Sequence, residues 1–574
     1  MKKETEYKDN NLIRFWDTCL KQFPQKEAIV CYISGEQPFR WNYLELFNEA
    51  EKFALELKNK GVKKGDVCAI IIRHNPYFYA VYLSVILLGA IPTVLVYPNP
   101  RLHQEKFVHG IKGMCQKSGI DWILTEKDLE GILLPLICIP ETKIKGILFP
   151  IEDLENIIVS DKDLNKIRNG YFEVAQNDNL LLQHSSGTTG LQKPVLLTHD
   201  AVCKHLRNYS EAIQLTRKDK IVSWLPLYHD MGLIAAFHLP LAYGVTSIQL
   251  DPFEWAADPA LMLRAISEER GTLTWMPNFA FNFMESKIRE EELSSLNLQS
   301  MRMIINCSEP IKNDSIEKFE LRFSQIGLKK HTITTCYAMA EATFAVTQTP
   351  PSIDPFKLFV NYVEMKSNTV KIKDDKVIDT KTLVSSGRII NGCKIRIVDR
   401  KGFYLDEGKI GEIVVKSESL FSGYRNYPEK TRTALRNGWY YTGDNGFIYS
   451  SNLYVLGRKD DVIISAGNNI YPEDIEDTVN ELTGIIPGRI IAFGQYDESF
   501  GSEIICVIAE TEFVELKDKK HLKIQIIKAG MEIGINIRKV FLVPHKWLIK
   551  SSSGKPSRKE NKARISTVNK EMEA

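Results

Sequence analysis

Leu180–Pro194 reads LLLQHSSGTTGLQKP, an apolar run that feeds serine, threonine and glycine and then a lysine. Backbone N–H groups and hydroxyls in such a loop can wrap phosphate oxygens. Gly187 and Gly190 permit the close approach and unusual dihedrals this needs, and Lys193 adds a point charge. The loop is not a Walker A motif, because no Gly-Lys-Ser/Thr follows at the required spacing, and the Rossmann glycine fingerprint is also missing. Taken alone, a solvated glycine-serine turn fits the same letters equally well, so the sequence around the loop must decide.

Upstream, strand-like runs alternate with helical patterns: CAIII at Cys68–Ile72, a helix-length piece at Pro76–Leu88, a branched run at Ile91–Val96, DWILT at Asp121–Thr125 and KGILFP at Lys145–Pro150. That rhythm predicts an α/β fold with mainly parallel sheets, in which ligands sit at loops beyond the strand ends. Past about residue 380 the texture changes to short alternating strands, KIRIVDRKG at Lys394–Gly402 and GEIVVKS at Gly411–Ser417, which predict a β-rich subdomain. The tail has strand and helix signals of its own and ends polar and basic. The expected division is a large N-terminal domain, residues 1–457, and a small α+β C-terminal domain, residues 458–574.

With 574 residues, 44% hydrophobic and 25% charged, the chain has the composition of a soluble globular protein with more than one core. Lysine plus arginine (74) nearly balances aspartate plus glutamate (72), so no global field draws it to nucleic acid or an anionic membrane, and anion recognition must be local. The ten cysteines are dispersed without a CxxC pair. This spells out neither a zinc ribbon nor a redox motif, and fits free thiols in a reducing compartment, the cytoplasm. The opening MKKETEYKDN does not read as a secretory signal. Tyr77–Pro98 carries no charge and is long enough to cross a bilayer, but Gly89 and Pro92 divide it. A buried helix feeding a buried strand is expected there, and no transmembrane segment.

Seven further stretches follow the loop in order: SWLPLYHDMGL (Ser223–Leu233), TWMPNFAFNFM (Thr274–Met284), INCSEPIKNDSIEKF (Ile305–Phe319), CYAMAEATFAV (Cys336–Val346), GWYYTGDNGF (Gly438–Phe447), LGRKDDVIISAGNNIYPEDIE (Leu456–Glu476) and PHKWLIKSSSGKPSRKENK (Pro544–Lys562). With the loop, they resemble the adenylate-forming superfamily of acyl-CoA synthetases, luciferases, peptide-synthetase adenylation domains and fatty acyl-AMP ligases.

The resemblance implies that Ser185, Ser186, Gly187, Thr188, Thr189, Gly190 and Lys193 grip the phosphates of ATP, with Gln192, Lys193 and Pro194 standing where the family has Pro, Lys, Gly. It places Tyr228 and His229 between the acyl and phosphate sites. His229 also stands where amino-acid-activating relatives keep an aspartate, which points to a plain carboxylate with an apolar tail. Ser308, Glu309 and Pro310 would border the adenine, Tyr337 would stack on it, and Glu341 would help bind Mg2+. Four residues apart, Tyr337 and Glu341 share a face if the segment is helical. Asp444 would accept hydrogen bonds from the ribose diol, and Arg458 would contact the ribose or phosphates. Asp460 would be the hinge of a mobile C-terminal domain, Gly467 would line the pantetheine path, and Lys555 would be the catalytic lysine. Trp275, Phe279 and Phe281 stay open between an acyl tunnel and ordinary core. Cys307 has no histidine close by in sequence, and the family chemistry needs no covalent enzyme intermediate, so no nucleophile is assigned there.

The implied reaction joins a fatty acid to AMP with release of pyrophosphate and then passes the acyl group to a thiol. YHDMGL, PNFAF and SEP, with the long stretch Pro350–Leu383 before SSGR, favour the fatty acyl-AMP ligases, whose acceptor is the phosphopantetheine of an acyl carrier protein and whose insertion is thought to restrain domain movement. A ligase that uses free CoA is the alternative. A non-catalytic adenylate-binding scaffold is a third reading, opposed by the retention of Glu341, Asp444, Arg458 and Lys555.

Overall fold

The computed structural model describes residues 10–33, 35–98, 104–153, 160–170, 173–185, 193–361, 369–373, 380–465, 468–497, 502–550 and 556–573. Near the N-terminus, the strands Ile91–Val94, Val67–Ile71, Trp122–Thr125 and Gly146–Leu148 lie side by side in that order, all parallel. The apolar segment behaves as its glycine and proline dictate. The helix Pro76–Leu87 starts on proline, with Asn75 accepting the Tyr77 N–H at 2.8 Å. The chain then turns at Gly89 (φ 69°) into the strand. Every described side chain of that helix but Tyr77 is buried, which accounts for its lack of a polar face. Among the described residues no helix is long and apolar enough to cross a membrane. All ten cysteines are free thiols.

The largest sheet has fourteen strands and two textures. Glu27–Cys31, Thr246–Gln249, Lys220–Ser223, Leu273–Met276, Met303–Asn306 and Ile333–Ala338 run parallel. From Ile333–Ala338 outward the neighbours are antiparallel: Ala345–Gln348, Arg388–Ile389, Asn452–Arg458, Trp439–Tyr449, Gly411–Ser417 and Cys393–Val398. The seam between the two textures falls at CYAMAEAT. In and just past Pro350–Leu383, Ile372–Lys373, Lys357–Asn361 and Thr380–Val384 form a small sheet of their own.

Downstream of Asp460, Ile485–Asp497, Ser502–Thr511 and Ile537–Val543 form a separate sheet with apolar side chains on both faces. Val507 and Ala509 pack with Ile475, Val479, Leu522 and Ile526, while Cys506 and Ile508 pack with Phe493, Leu548 and Ile565. Both faces are covered, so the central strand reads as a nearly continuous hydrophobic run. At roughly 1.5–3 kcal/mol per buried large aliphatic side chain, this unit carries a core of its own.

Candidate active site

The LLLQHSSGTTGLQKP stretch joins two paired strands. Asn179–Ser185 runs antiparallel to Lys193–Thr198, with Ser185 opposite Lys193, so residues 186–192 connect the two ends of one ladder. Ser186, Gly187, Thr188, Thr189 and Gly190 lie outside the described residues, as do Gly467 and Lys555, and of Ser185 only the backbone pairing is described. The incoming strand is pinned by His184, whose Nδ1 meets the Thr93 hydroxyl at 3.0 Å and whose Nε2 meets that of Ser118 at 2.8 Å. Burial holds this imidazole down at about 4, hence neutral.

Lys193 emerges beside an aromatic residue that the sequence reading did not single out. Gly423–Tyr424 pairs with the strand that begins at Lys193, and the Lys193 Nζ lies 5.3 Å over the Tyr424 ring. The Tyr424 hydroxyl donates to Glu341 Oε1 at 2.7 Å and lies 3.4 Å from that of Tyr440. Burial lowers the pKa of Lys193, while Glu341 acts to raise it. Lys193 and Glu341 thus flank Tyr424, an arrangement suited to phosphate on one side and a cation on the other. Tyr424 sits in FSGYRN, and its only local signal is the glycine before it.

Tyr337 and Glu341 do not share a helical face. Tyr337 lies on the strand Ile333–Ala338 and Glu341 in the short 3₁₀ turn Ala340–Ala342, because the chain reverses here to start the antiparallel half of the sheet. The reversal includes Thr343 at φ 71°, held by its hydroxyl on the Ser419 carbonyl at 2.8 Å. Each residue therefore faces a different group. Tyr337 donates its hydroxyl to Asp444 Oδ2 at 2.5 Å, and Arg458 donates to Asp444 Oδ1 at 2.8 Å. Burial first, and Asp444 second, push the Tyr337 phenol well above its ordinary range. Asp444 chiefly keeps the half-buried Arg458 guanidinium protonated.

Further candidate residues lie on the parallel half. His229 stacks obliquely on Tyr228, ring centres 4.7 Å apart, and Gln183 donates to the Tyr228 carbonyl at 2.6 Å. The Asp230 side chain accepts the Met231 N–H at 2.8 Å, opening the π-helix Met231–His238. Gly232 is required there, since a Cβ would sit 2.4 Å from the Pro226 carbonyl oxygen. Ser308 follows the strand Met303–Asn306 with φ 69°, and its hydroxyl reaches the Met231 sulfur at 3.8 Å. Glu309 accepts the Phe279 N–H at 2.8 Å, while Pro310 is exposed. The open aromatics now separate. Trp275 and Phe281 are core, the first donating to the Tyr209 hydroxyl at 2.8 Å and the second packed on Phe319, whereas Phe279 is 43% exposed beside the stacked pair Trp224 and Trp255. Cys307 is fully buried.

Asp460 is exposed in the turn Lys459–Asp461, directly after Arg458. Beyond it, the helix Pro472–Asn480 is tied back by two ion pairs, Lys312 with Asp477 and Lys381 with Asp474. Lys381 belongs to the small sheet within Pro350–Leu383. Lys550 and Pro556, which flank the segment containing Lys555, are bridge partners. Burial chiefly lowers the pKa of Lys550, and Glu510 and Glu309 act to raise it.

The sequence profile of the AMP-binding enzyme family matches residues 16–425, well over half of the chain. The chain belongs to the AMP-binding enzyme family. Among its relatives is the Mycobacterium tuberculosis protein "Probable long-chain-fatty-acid--AMP ligase FadD30", 30% identical over 402 residues, 66% of this chain and 68% of that one. A solved structure from a study of fatty acyl-adenylate ligases of E. coli and L. pneumophila superposes with a TM-score of 0.87 at 25% identity, covering 97% of this chain and 98% of the other. The L. pneumophila fatty acyl-adenylate ligase in complex with acyl adenylate and pyrophosphate gives a TM-score of 0.74 at 26% identity, over 98% and 97%.

Proposed function

We propose that this AMP-binding family enzyme converts a fatty acid and ATP into acyl-AMP and pyrophosphate, then transfers the acyl group to the phosphopantetheine thiol of an acyl carrier protein. The carrying observation is the pair of polar lines at the seam of the large sheet, Tyr337–Asp444–Arg458 and Lys193–Tyr424–Glu341. One offers a carboxylate to a ribose diol, and the other a cation and an acid to a triphosphate. The relatives named for long-chain fatty acid–AMP and fatty acyl-adenylate ligation support an apolar acid as substrate.

Carboxylate and triphosphate repel, so attack on the α-phosphorus needs that charge offset in place. Lys193 stands at the mouth of the phosphate loop, and Lys555 is the second ammonium in this reading. Glu341 is the acid that would hold Mg2+, since one carboxylate oxygen with phosphate oxygens is the donor set this ion takes, and it would neutralise phosphate charge. Among the described residues no cluster of three or more acids, histidines or cysteines could cage a metal. A carboxylate oxygen attacks, the bond from the α-phosphorus to the bridging oxygen breaks, and pyrophosphate leaves. The thiol then adds to the acyl carbon, AMP departs, and the thiol proton goes to solvent.

In this reading residues 458–574 form a lid that turns about Asp460, Gly467 borders the thiol's approach, and the Lys381–Asp474 pair couples the insertion to that lid. ATP–pyrophosphate exchange over a panel of fatty acids tests adenylation. Absence of exchange with every acid would leave only the scaffold reading. Presenting CoA and a holo carrier protein separately decides the acceptor, and acylation of CoA alone would replace the carrier in this proposal.

A further inference from the structure

The helix Leu516–Glu532 covers only one of its sides. Leu522, Ile526, Ala529 and Gly530 are its buried residues, and Leu522 and Ile526 pack with Ile475, Val479 and Val507. A surface helix ordinarily turns polar residues to solvent opposite such a stripe. Here Leu516, Ile524 and Met531 are 74%, 52% and 60% exposed, and Val514, just before the helix, is 83% exposed. At about 100° per residue, Leu516, Lys517, Lys520, Ile524, Lys528 and Met531 fall within roughly 120° of arc, along roughly 22 Å of axis. Single exposed aliphatics are normal, but a row of them on one face marks an interaction surface. Both acids of the helix, Asp518 and Glu532, fall outside that arc. Among the described residues no carboxylate pairs with Lys517, Lys520 or Lys528, all three exposed. The face is therefore apolar and positive at once.

Those two properties narrow what can cover it. A second copy would set lysine against lysine. Protein partners are met through aromatic and arginine anchors with lysine depleted, and this helix has no tryptophan, tyrosine or arginine. Nucleic acid would use the lysines but not the aliphatics, and the six residues offer no ring for a base to stack on. An anionic bilayer uses both kinds, because its headgroups draw lysines while aliphatic side chains enter the boundary with the acyl chains. We propose that the exposed face of Leu516–Glu532 is a docking surface for an anionic lipid bilayer, with Leu516, Ile524 and Met531 inserted and Lys517, Lys520 and Lys528 against the headgroup phosphates. The near balance of charge over the whole chain does not oppose this, since such a cluster acts within a Debye length.

The test is sedimentation of the full chain with vesicles of phosphatidylcholine alone or of equal parts phosphatidylcholine and phosphatidylglycerol, with thermal melting as the control for folding. The expected result is binding to the mixed vesicles that weakens as salt is raised, and little binding to the neutral ones. Lys517→Gln, Lys520→Gln and Lys528→Gln combined should weaken it by about fivefold per lysine, on the order of 10²-fold together. Leu516→Ser with Ile524→Ser, which leaves the charge unchanged, should weaken it at least about tenfold. No binding to the mixed vesicles, equal binding to both kinds, or binding that either variant leaves intact overturns the proposal. A lysine variant that keeps vesicle binding but loses acyl transfer to a holo carrier protein would assign the face to an acidic protein instead. Should one variant not fold, the other and the salt dependence of the unaltered chain still decide.

Discussion

Asp444 and Arg458 stand directly opposite each other on neighbouring antiparallel strands, and their side chains meet at 2.8 Å while Tyr337 takes the other carboxylate oxygen at 2.5 Å. Each carboxylate oxygen has a second lone pair, so the clamp orients Asp444 and leaves acceptor capacity for a diol. Asp444→Asn turns one oxygen into a donor facing Arg458 or Tyr337. A charged hydrogen bond is worth about 1.5–3 kcal/mol. The KM for ATP should therefore rise roughly 10- to 100-fold, measured by exchange against ATP concentration, with fatty acid KM little changed. An unaltered ATP KM would remove Asp444 from the nucleotide site.

Tyr424→Phe removes the hydroxyl that orients Glu341 but keeps the ring under Lys193. Leaving a buried acid without its donor costs about 1–3 kcal/mol. If Glu341 holds the metal, the Mg2+ concentration for half-maximal exchange should rise several-fold while saturating Mg2+ restores most of the rate. A rate loss that Mg2+ cannot restore would place Tyr424 elsewhere in the chemistry.

Lys381 and Asp474 link the small sheet within Pro350–Leu383 to the helix Pro472–Asn480, with Asp474 almost fully buried. Cutting the pair with Lys381→Ala frees the helix on that side. If the insertion restrains the lid, the ratio of CoA acylation to carrier acylation should increase, with adenylation unchanged. A constant ratio would mean that this contact does not set acceptor choice.

Much of this arrangement is legible locally. The strand at Gly411–Ser417 coincides with its alternating run, and the helix at Pro76–Leu87 starts on the proline and stops before the glycine that mark it in the letters. Asp444 and Arg458 each sit in a readable motif. What the letters do not carry is adjacency over long separations: Tyr424 meets Glu341 across 83 residues only because Gly423–Tyr424 adds to the strand that begins at Lys193. Spacing misled at Tyr337 and Glu341 because a four-residue interval suits a helix, whereas the sheet needs a reversal there to pass from parallel to antiparallel pairing. Trp275 and Phe281 look like Phe279 in composition, and only the depth of their positions separates the buried pair from the exposed ring.

Four histidines are buried neutral, and burial lowers His184 and His199 to about 4 and His205 and His238 to about 3, from 6.5. Each is used as neutral imidazole: His199 Nδ1 accepts the Leu12 N–H at 3.2 Å, and His238 meets the Tyr82 hydroxyl at 2.9 Å while stacking on Trp16. Below 6.5 the unfolded chain binds protons at these positions that the folded chain refuses until its own lower values are reached. Protons bound in excess by the unfolded state make stability fall as pH falls. The contribution is complete above the unfolded value and is lost progressively toward pH 4, at up to about 5 kcal/mol per pH unit if all four act together. Melting should therefore drop steeply between pH 7 and pH 5, before most carboxylates titrate, and unfolding at pH 5 should take up several protons. His184→Asn, which cannot be charged, should shallow that slope even though it weakens the phosphate-loop strand. A melting temperature flat from pH 7 to pH 5 would show that these imidazoles are not held neutral by the fold.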